Sequence, residues 1–435
     1  MMYFTNANEK DIKGMNKFTK IAAVRSGCRL LIFWLLCSFS LATYGQEDII
    51  PRDSVPPNVK DVGDVLKNLF NKKEDTTKIK KQKPVAILPA IGYNQSFGFL
   101  IGAKMSIVKQ VGPKETTSLS AFGLEAIYTT EGVMIAQARH NVFTAGNKFN
   151  WQGHWQLSKF LINDYNIGTG NEDYVTKSDS AFPVKFTYIR LTERVYKKIS
   201  PHWFAGVGVN FQIRSNIEDE KLDSLGSTPH YRYSKRNGFN PEKYTANSLL
   251  LALQYNTREH PIRPYGGTYA EFGFLFNQQW MGSNKNAILL NYDIRKYFSL
   301  SNRRPDHVLA FWHLGSYTLS GIQPYLALPA TGYDTYNRSG RAYTIGRFKG
   351  PAFSYFESEY RFPITSNRLI SGVAFVNVQT ASDDLDKKLF QYWDPAYGGG
   401  LRILFEKGSR SVICVDYAKG KYGSGGFFFG LNEAF

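Results

Sequence analysis

The sequence has no apolar run long enough for a membrane-spanning helix. Such a helix needs about 18 or more consecutive apolar residues, whereas the longest run, residues 30–42, includes two serines and a cysteine. Cysteine is scarce, with 3 in 435 residues. Acidic residues are outnumbered by basic ones, 36 against 53, which gives a formal net charge of +17. The lack of long apolar runs excludes a helical membrane protein.

Aromatic side chains, by contrast, are abundant. Phe and Tyr number 32 and 27, and aromatic residues make up 15% of the chain. Disordered chains are poor in aromatics, so this chain is expected to fold. Two classes remain, a soluble β-rich protein and a membrane β-barrel, since the alternating strands of a barrel give only a weak hydropathy signal.

The amino terminus has the pattern of a secretory signal peptide. Four basic residues precede the apolar run: Lys17, Lys20, Arg25 and Arg29. Small residues follow the run, so we expect cleavage near residue 45, with Met15 as an alternative start. Loss of residues 1–45, which carry six basic and two acidic side chains, lowers the charge from +17 to +13. It also leaves Cys414 as the only cysteine, so an intrachain disulfide is excluded. The alternative interpretation of the apolar run is a buried core helix.

The next segment, residues 46–84, is polar and ends in a lysine-rich stretch. Five apolar residues within it lie at helical spacing: Val59, Val62, Leu66, Leu69 and Phe70. One short amphipathic helix and a disordered tether are equally good interpretations. Because the segment is too short for a folded domain of its own, we expect a periplasmic linker or a plug.

From residue 85 onward, apolar residues recur at every second position. In residues 149–157, one face carries Phe149, Trp151, Gly153, Trp155 and Leu157, and the other carries Asn150, Gln152, His154 and Gln156. A strand with hydrocarbon on one side and water on the other needs this alternation. Soluble sandwiches alternate similarly, but in strands of about 5–6 residues. The longer runs here match the length that a tilted strand needs to cross a bilayer.

Sixteen such runs are predicted as strands: 85–93, 97–108, 118–128, 133–143, 149–157, 184–195, 203–213, 247–255, 267–277, 287–298, 308–319, 352–362, 369–379, 396–405, 411–418 and 426–435. Single-chain bacterial barrels have an even number of strands, with short periplasmic turns and long outer loops. Connections such as 144–148 and 320–351 alternate in this way. The sequence therefore predicts an all-β fold, a 16-stranded antiparallel transmembrane barrel over residues 85–435. Strand 1 is expected to close on strand 16, because an open edge in lipid leaves backbone groups unpaired.

Five stretches of the chain resemble one family. They are residues 83–99, 256–267, 339–348, 359–363 and 425–435. They are similar to five parts of the BamA/TamA-type outer-membrane surface-antigen superfamily. In chain order, these parts are the barrel entry, the turn after strand 8, the sixth outer loop with its V-R-G-[FY] signature, the E-Y-R-[FL]-P of strand 12 and the terminal strand. The resemblance covers residues 84–435.

The resemblance implies that the sixth loop folds into the lumen, where its arginine meets carboxylates on strands 12 and 13. The matching loop residues are Gly340, Arg341, Ala342 and Tyr343, with Ala342 where the family has glycine. Glu359 lies in the lumen phase of strand 12, as do Glu357 and Arg361. Where the family has F-x-D on strand 13, this chain has the uncharged Asn377, which leaves Glu359 or Asp416 as the charged partner. Without the resemblance, Arg341 would be interpreted as a solvated loop arginine.

Two residues near the chain end complete the candidate site. Gly430 interrupts the aromatic terminal strand, and an interior glycine often marks a bend. In the family such a bend weakens pairing with strand 1 and permits opening toward lipid, although close packing would explain the glycine equally well. Phe435 ends a terminal pattern that the family's assembly machinery reads as an address for insertion.

No catalytic or metal-binding signature is present. The G-x-S-x-G and H-E-x-x-H motifs and any cysteine cluster are absent, so we expect no enzyme, no catalytic residue, no metal and no cofactor. The basic stretches are assigned to anionic lipid headgroups rather than to nucleic acid. The expected location is the bacterial cell outer membrane.

The better-known members of the family insert barrel proteins or translocate polypeptides, and receive them through periplasmic polypeptide-transport-associated (POTRA) domains. Residues 46–84 are too few for such a domain, so we expect none. The leading hypothesis is an assembly or translocation barrel that acts on unfolded outer-membrane or secreted polypeptides through its strand 1/16 seam and sixth loop. The alternatives are a passive pore or structural surface barrel, and an anchor for a separate secreted or periplasmic partner.

Overall fold

The computed structural model describes residues 58–70, 85–94, 96–113, 115–170, 181–383 and 388–435. The expected signal peptide, residues 1–45, lies outside the described residues, as does most of segment 46–84. Within the described ranges no helix is long and apolar enough to cross a membrane. Helix α1, Val62–Leu69, begins at a capping box formed by Asp61 and Asp64, which satisfies two otherwise unpaired backbone donors. Residues 62–69 of segment 46–84 are thus helical.

Sixteen long strands follow in the described part of the chain. They are β1 Val85–Asn94, β2 Gly98–Lys109, β3 Ser120–Thr129, β4 Met134–Phe143, β5 Phe149–Asp164, β6 Phe182–Ser200, β7 Trp203–Asp219, β8 Ser248–Asn256, β9 Gly267–Asn277, β10 Ala287–Ser299, β11 Val308–Gly321, β12 Ala352–Pro363, β13 Ile370–Ala381, β14 Asp394–Glu406, β15 Ser411–Gly420 and β16 Gly425–Leu431. A two-residue strand, Tyr244–Thr245, pairs with β7 ahead of β8.

Each long strand pairs antiparallel with the next one along the chain, from β1–β2 to β15–β16. Every predicted strand is found, and the predicted all-β antiparallel barrel is confirmed. The alternation sorts the side chains as expected. On β5, Trp151 and Leu157 are 57% and 56% exposed toward the lipid side, whereas Asn150 and His154 are buried on the lumen side.

Strands β5, β6 and β7 are longer than predicted, with 16, 19 and 17 residues. The extra residues of β5 and β7 lie at the ends that lead into the long connections, where helices α2, Leu222–Leu225, and α3, Pro229–Arg236, are found. Strand β6 extends mainly at its other end, toward the short turn to β7. The extensions bury a separate apolar cluster that includes Ile162, Val184, Phe186, Tyr233, Tyr325 and Leu326. Because this cluster gives the ends of β5 and β7 an apolar surface to pack against, these two strands continue past the length that a membrane crossing needs.

The edges of the sheet, β1 and β16, meet without the paired register that joins the other neighbouring strands in the described residues. They are close, since a Cβ added at Gly92 would lie 3.5 Å from the carbonyl oxygen of Phe429. The barrel is nearly closed, which corrects the expectation of a strand 1 paired with strand 16. One physical reason for the missing pairing is that β16 is short: it has seven residues, of which three are glycine.

The terminal strand is also shorter than predicted. It ends at Leu431 instead of Phe435, because Asn432 adopts a left-handed conformation with φ +70° that turns the chain out of the sheet. The last four residues enter the lumen, where Glu433 and Phe435 are 5% and 4% exposed. We call residues 432–435 the tail.

Candidate functional site

The connection between β11 and β12, residues 322–351, turns back into the barrel and is mostly buried. We call it the sixth loop. An isolated bridge between Ala330 and Lys349 closes its base, and Lys349 donates to Asp164 of β5 at 2.5 Å. At the tip, the Asp334 carboxylate accepts from the amide of Ser339 at 2.8 Å. The contact between Lys349 and Asp164 holds the loop against the inner wall, and the other two shape the loop itself.

The chain bends sharply at the motif that the resemblance singled out. Gly340 and Ala342 have φ of +79° and +89°, in the left-handed region that favours glycine. Arg341 lies between them and is 7% exposed. Next to them, the hydroxyl of Tyr343 donates to the carbonyl of Pro395 at 2.6 Å. The motif thus projects Arg341 into the lumen and anchors the loop to the wall at β14.

Arg341 lies at the centre of a buried group of charged side chains. Its guanidinium donates to Glu357 and Glu359 of β12 and, at 3.3 Å, to Asp416 of β15. All three carboxylates are less than 9% exposed, so water screens their attraction only weakly. The guanidinium carbon also lies 3.5 Å from the ring centroid of Phe375 on β13, a cation–π contact. One loop side chain is therefore bound by three strands of the wall.

The structure brings Arg341 together with each of the partners considered from the sequence. Glu359 and Asp416 bind its side chain, whereas Asn377 donates from Nδ2 to its main-chain oxygen at 3.2 Å. The amide at position 377 therefore supplies a donor where a carboxylate would supply a charge. The additional carboxylate is Glu357, which the sequence analysis placed in the lumen phase without assigning it to the arginine. Its signal was the E-x-E spacing, which puts both glutamates on one face of the strand.

A second set of charged residues, of which only Arg361 was singled out from the sequence, extends the network to the tail. Arg361 donates to Glu359 at 2.6 Å, and Arg402 of β14 donates to Asp416 and, at 2.6 Å, to Glu433. Glu433 also pairs with Arg263 at 2.9 Å. The network is electrically balanced, with Arg263, Arg341, Arg361 and Arg402 against Glu357, Glu359, Asp416 and Glu433.

The network shifts the pKa of its members in the loop and the tail. Burial lowers the pKa of Arg341, but the neighbouring carboxylates more than offset this effect, so the pKa lies well above its ordinary value. Burial raises the pKa of Glu433, but Arg402, Arg361 and Arg263 outweigh it, so that pKa lies below its ordinary value. Both groups are therefore charged at neutral pH.

Phe435 lies inside the barrel. Its ring stacks on Trp312 with centroids 5.2 Å apart and lies 6.1 Å from Tyr297. Arg361 donates to the Phe435 carbonyl oxygen at 2.8 Å. The sequence predicts Phe435 as the last residue of the terminal strand, whereas the turn at Asn432 moves it into the lumen.

Gly430 stays within β16. A Cβ at this position would meet nothing within 4 Å, so close packing does not require the glycine. The bend considered at Gly430 occurs two residues later, at Asn432. The glycine therefore lies on an open part of the edge strand beside the seam.

The fold and this network define a class of protein, a 16-stranded barrel of the bacterial outer-membrane type with an inward-folded loop. Among solved structures it is similar to BamA from Haemophilus ducreyi lacking POTRA domains 1–3, with a TM-score of 0.55 and 13% identity over 80% of this chain and 70% of that one. It is also similar to CdiB from Escherichia coli, with a TM-score of 0.54 and 9% identity over 81% of this chain and 63% of that one.

The sequence matches no protein-family model and no curated protein. At 13% and 9% identity, the likeness to BamA and CdiB establishes a shared fold. The chain spans less than two thirds of the CdiB chain, 63%. The expected BamA-type barrel is thus confirmed at the level of fold, and this fold is one of bacterial outer-membrane proteins.

Proposed function

We propose that this chain is an outer-membrane barrel that assembles membrane proteins or translocates polypeptides by way of its β1/β16 seam. The observation that carries the proposal is the seam itself, where two edge strands meet without a paired register in the described residues. An unpaired edge offers backbone donors and acceptors to an extended polypeptide, which can add as a further strand. The likeness in fold to BamA and CdiB supports the same proposal.

The filled lumen argues against the alternative of a passive pore. The sixth loop and the tail both enter the barrel, and their charged residues bind the wall on β12, β14 and β15. A barrel of about 16 strands has room for an aqueous channel only when nothing fills it. The partners we propose are unfolded polypeptides and outer-membrane lipid, and the proposal includes no enzymatic step.

A disulfide across the seam tests this function. Gly92 lies beside the carbonyl oxygen of Phe429, so the cysteine pair is introduced at Gly92 and at Gly430, the residue after Phe429. The double variant is introduced into the source bacterium in place of the native chain. Outer-membrane and secreted proteins are then measured by quantitative mass spectrometry.

We expect the locked variant to reproduce the deletion phenotype, with fewer barrel proteins in the membrane or fewer secreted polypeptides, and reduction to restore the native pattern. The two single-cysteine variants are the matched controls and should resemble the native chain. An oxidised double variant with a native protein pattern would contradict the proposal.

A further inference from the structure

Arg338, three residues before Arg341 in the sixth loop, reaches the end of the terminal strand. Its Nη2 donates to the carbonyl oxygen of Leu431 at 2.6 Å, and its Nη1 donates to those of Asn432, at 2.7 Å, and Glu433. The amide of Arg338 is held in turn by the Asp334 carboxylate at 2.9 Å. One side chain of the loop therefore occupies three successive main-chain acceptors.

The carbonyl of Leu431 points toward the seam. In an antiparallel pair, alternate residues direct their N–H and C=O groups to the same neighbour. The amide of Asn432 donates to the carbonyl of Val412 on β15 at 2.7 Å, so Leu431, one residue earlier, faces the other side. The position of the Phe429 carbonyl, 3.5 Å from a Cβ added at Gly92 of β1, agrees with this assignment. Arg338 thus occupies an acceptor that an added strand would need.

The same loop also contacts the other side of the seam. The amide of Ile345 donates to the hydroxyl of Ser96, in the turn between β1 and β2, at 2.8 Å. On β4, Arg139 donates to the carbonyl of Thr335 at 2.8 Å. The loop therefore spans from the β1–β4 wall to the end of β16 on the lumen side of the seam.

We propose that Arg338 caps the seam-facing edge of the terminal strand, so that a polypeptide strand can add there only after the sixth loop has withdrawn. Hydrogen bonds from a guanidinium are stronger than those from a backbone amide, so an incoming amide cannot displace Arg338 unless the loop moves. The inference rests on the proposed function, because it concerns strand addition at the same seam. The ligand class is an extended polypeptide segment with free backbone groups.

The test uses the full chain in phospholipid nanodiscs and two measurements. Hydrogen–deuterium exchange reports the amides of residues 426–435. The strand probe is a synthetic peptide with the sequence of β1, residues 85–94, and a photo-crosslinking residue at the position of Ile91; its adduct with the barrel is quantified by mass spectrometry. Arg338→Ala and Arg338→Lys are compared with the native chain. Arg232→Ala is the control, since Arg232 lies exposed on α3.

We expect Arg338→Ala to raise exchange at residues 431–434 and to increase the adduct about tenfold, the ratio that corresponds to about 1.4 kcal/mol. Arg338→Lys, which keeps a charged donor, should give a smaller increase and provides the comparison if the alanine variant does not fold. Unchanged exchange, or a measurable adduct that forms equally with the native chain and both variants, overturns the cap. If exchange rises but no barrel captures the peptide, the cap stands and strand addition, the proposed function, fails.

Discussion

At the scale of single residues, Arg341 and its carboxylates depend on one another. Removing one partner of a buried ion pair leaves an uncompensated charge, which costs about 3–5 kcal/mol. We expect Arg341→Ala to lower the free energy of unfolding by about this amount, because Glu357 and Glu359 are 3% and 0% exposed. Equilibrium urea unfolding in lipid vesicles measures the loss.

A second substitution distinguishes charge imbalance from lost packing. Adding Glu357→Gln to Arg341→Ala removes one uncompensated charge, so the double variant should regain part of the lost stability. The matched control is Arg232→Ala on the exposed face of α3, which should change stability by about 0.5 kcal/mol or less. A double variant less stable than Arg341→Ala would contradict the charge argument.

The substitutions Ala342→Gly and Gly340→Ala in the sixth loop should change the stability of the protein in opposite directions. Ala342 has φ +89°, and an L-residue in the left-handed region costs about 1–2 kcal/mol. Glycine relieves this strain, but it also raises the conformational entropy of the unfolded chain, which costs about 0.4–1 kcal/mol of stability. Ala342→Gly should therefore stabilise the protein by about 0.5 kcal/mol. Gly340→Ala should destabilise it, because its φ is +79° and the added methyl would collide with Thr331. Thermal unfolding compares the two, and shifts of the same sign would contradict the prediction.

Glu433 should make stability depend on pH. Its pKa is lower in the folded protein than its ordinary value of about 4.5, so its stabilising contribution is fully present above pH 4.5 and is lost as pH falls through the lower, folded pKa. Glu433→Gln should therefore be less stable than the native chain at pH 7, and the difference should shrink as pH is lowered below about 4.5. Urea midpoints between pH 7 and pH 3 measure this, and a difference that does not change with pH would contradict it.

The members of the buried charged network that could be predicted are those that a local sequence pattern or the family resemblance points to. Glu357, Glu359 and Asp416 follow the two-residue alternation of strands, so their lumen-facing phase could be predicted. Arg338, Arg402 and Glu433 could not be paired from the sequence, because their partners lie 14 to 95 residues away on other elements and meet only when those elements pack together.

At the scale of elements, the short segment ahead of the barrel docks on its short-connection side. Val59 packs against Leu404, Val412 and Cys414, and the Asp61 carboxylate accepts from the amide of Lys407 at 3.2 Å. The same carboxylate caps α1. One side chain, Asp61, therefore both caps the helix and takes part in its attachment to the barrel.

We expect Asp61→Ala to loosen the attachment of the segment without unfolding the barrel. Loss of the N-cap costs about 0.5–2 kcal/mol, and the hydrogen bond from the Lys407 amide is lost with it, while the ion pair between Lys407 and Asp64 remains. Limited proteolysis within residues 58–70 should become faster, while the barrel retains its unfolding midpoint. Asn68→Ala, an exposed substitution on the same helix, is the control. Equal proteolysis of both variants would contradict the docking.

The strands themselves were predictable as elements because hydrocarbon and water impose opposite polarity on alternate side chains. Their ends were less so. The ends of β5–β7 on the side of the long connections pack against α3 and the sixth loop, and β16 ends where Asn432 leaves the sheet. Neither feature changes the alternation of apolar and polar residues, so the strand ends could not be predicted from that alternation.

At the scale of the whole molecule, the lumen contents predict conductance. Because the sixth loop and the tail fill the barrel, we expect the native chain in planar bilayers to show only sparse openings. Removing residues 334–345, the loop tip with Arg338 and Arg341, should give a steady conductance. Retention of the folded gel mobility is the control for the deletion. A steady open pore in the native chain would favour the passive-pore alternative.

The sequence by itself determined the class of this protein: sixteen amphipathic strands, their order, and which face of each strand meets lipid, because alternation is a local property that each strand must satisfy alone. Tertiary structure decided the rest. The nearly closed seam, the tail turned into the lumen and the bonds from Arg338 and Arg341 all join segments distant in the chain. Such contacts depend on how the sheet curves and where its edges meet, and no local pattern encodes that geometry.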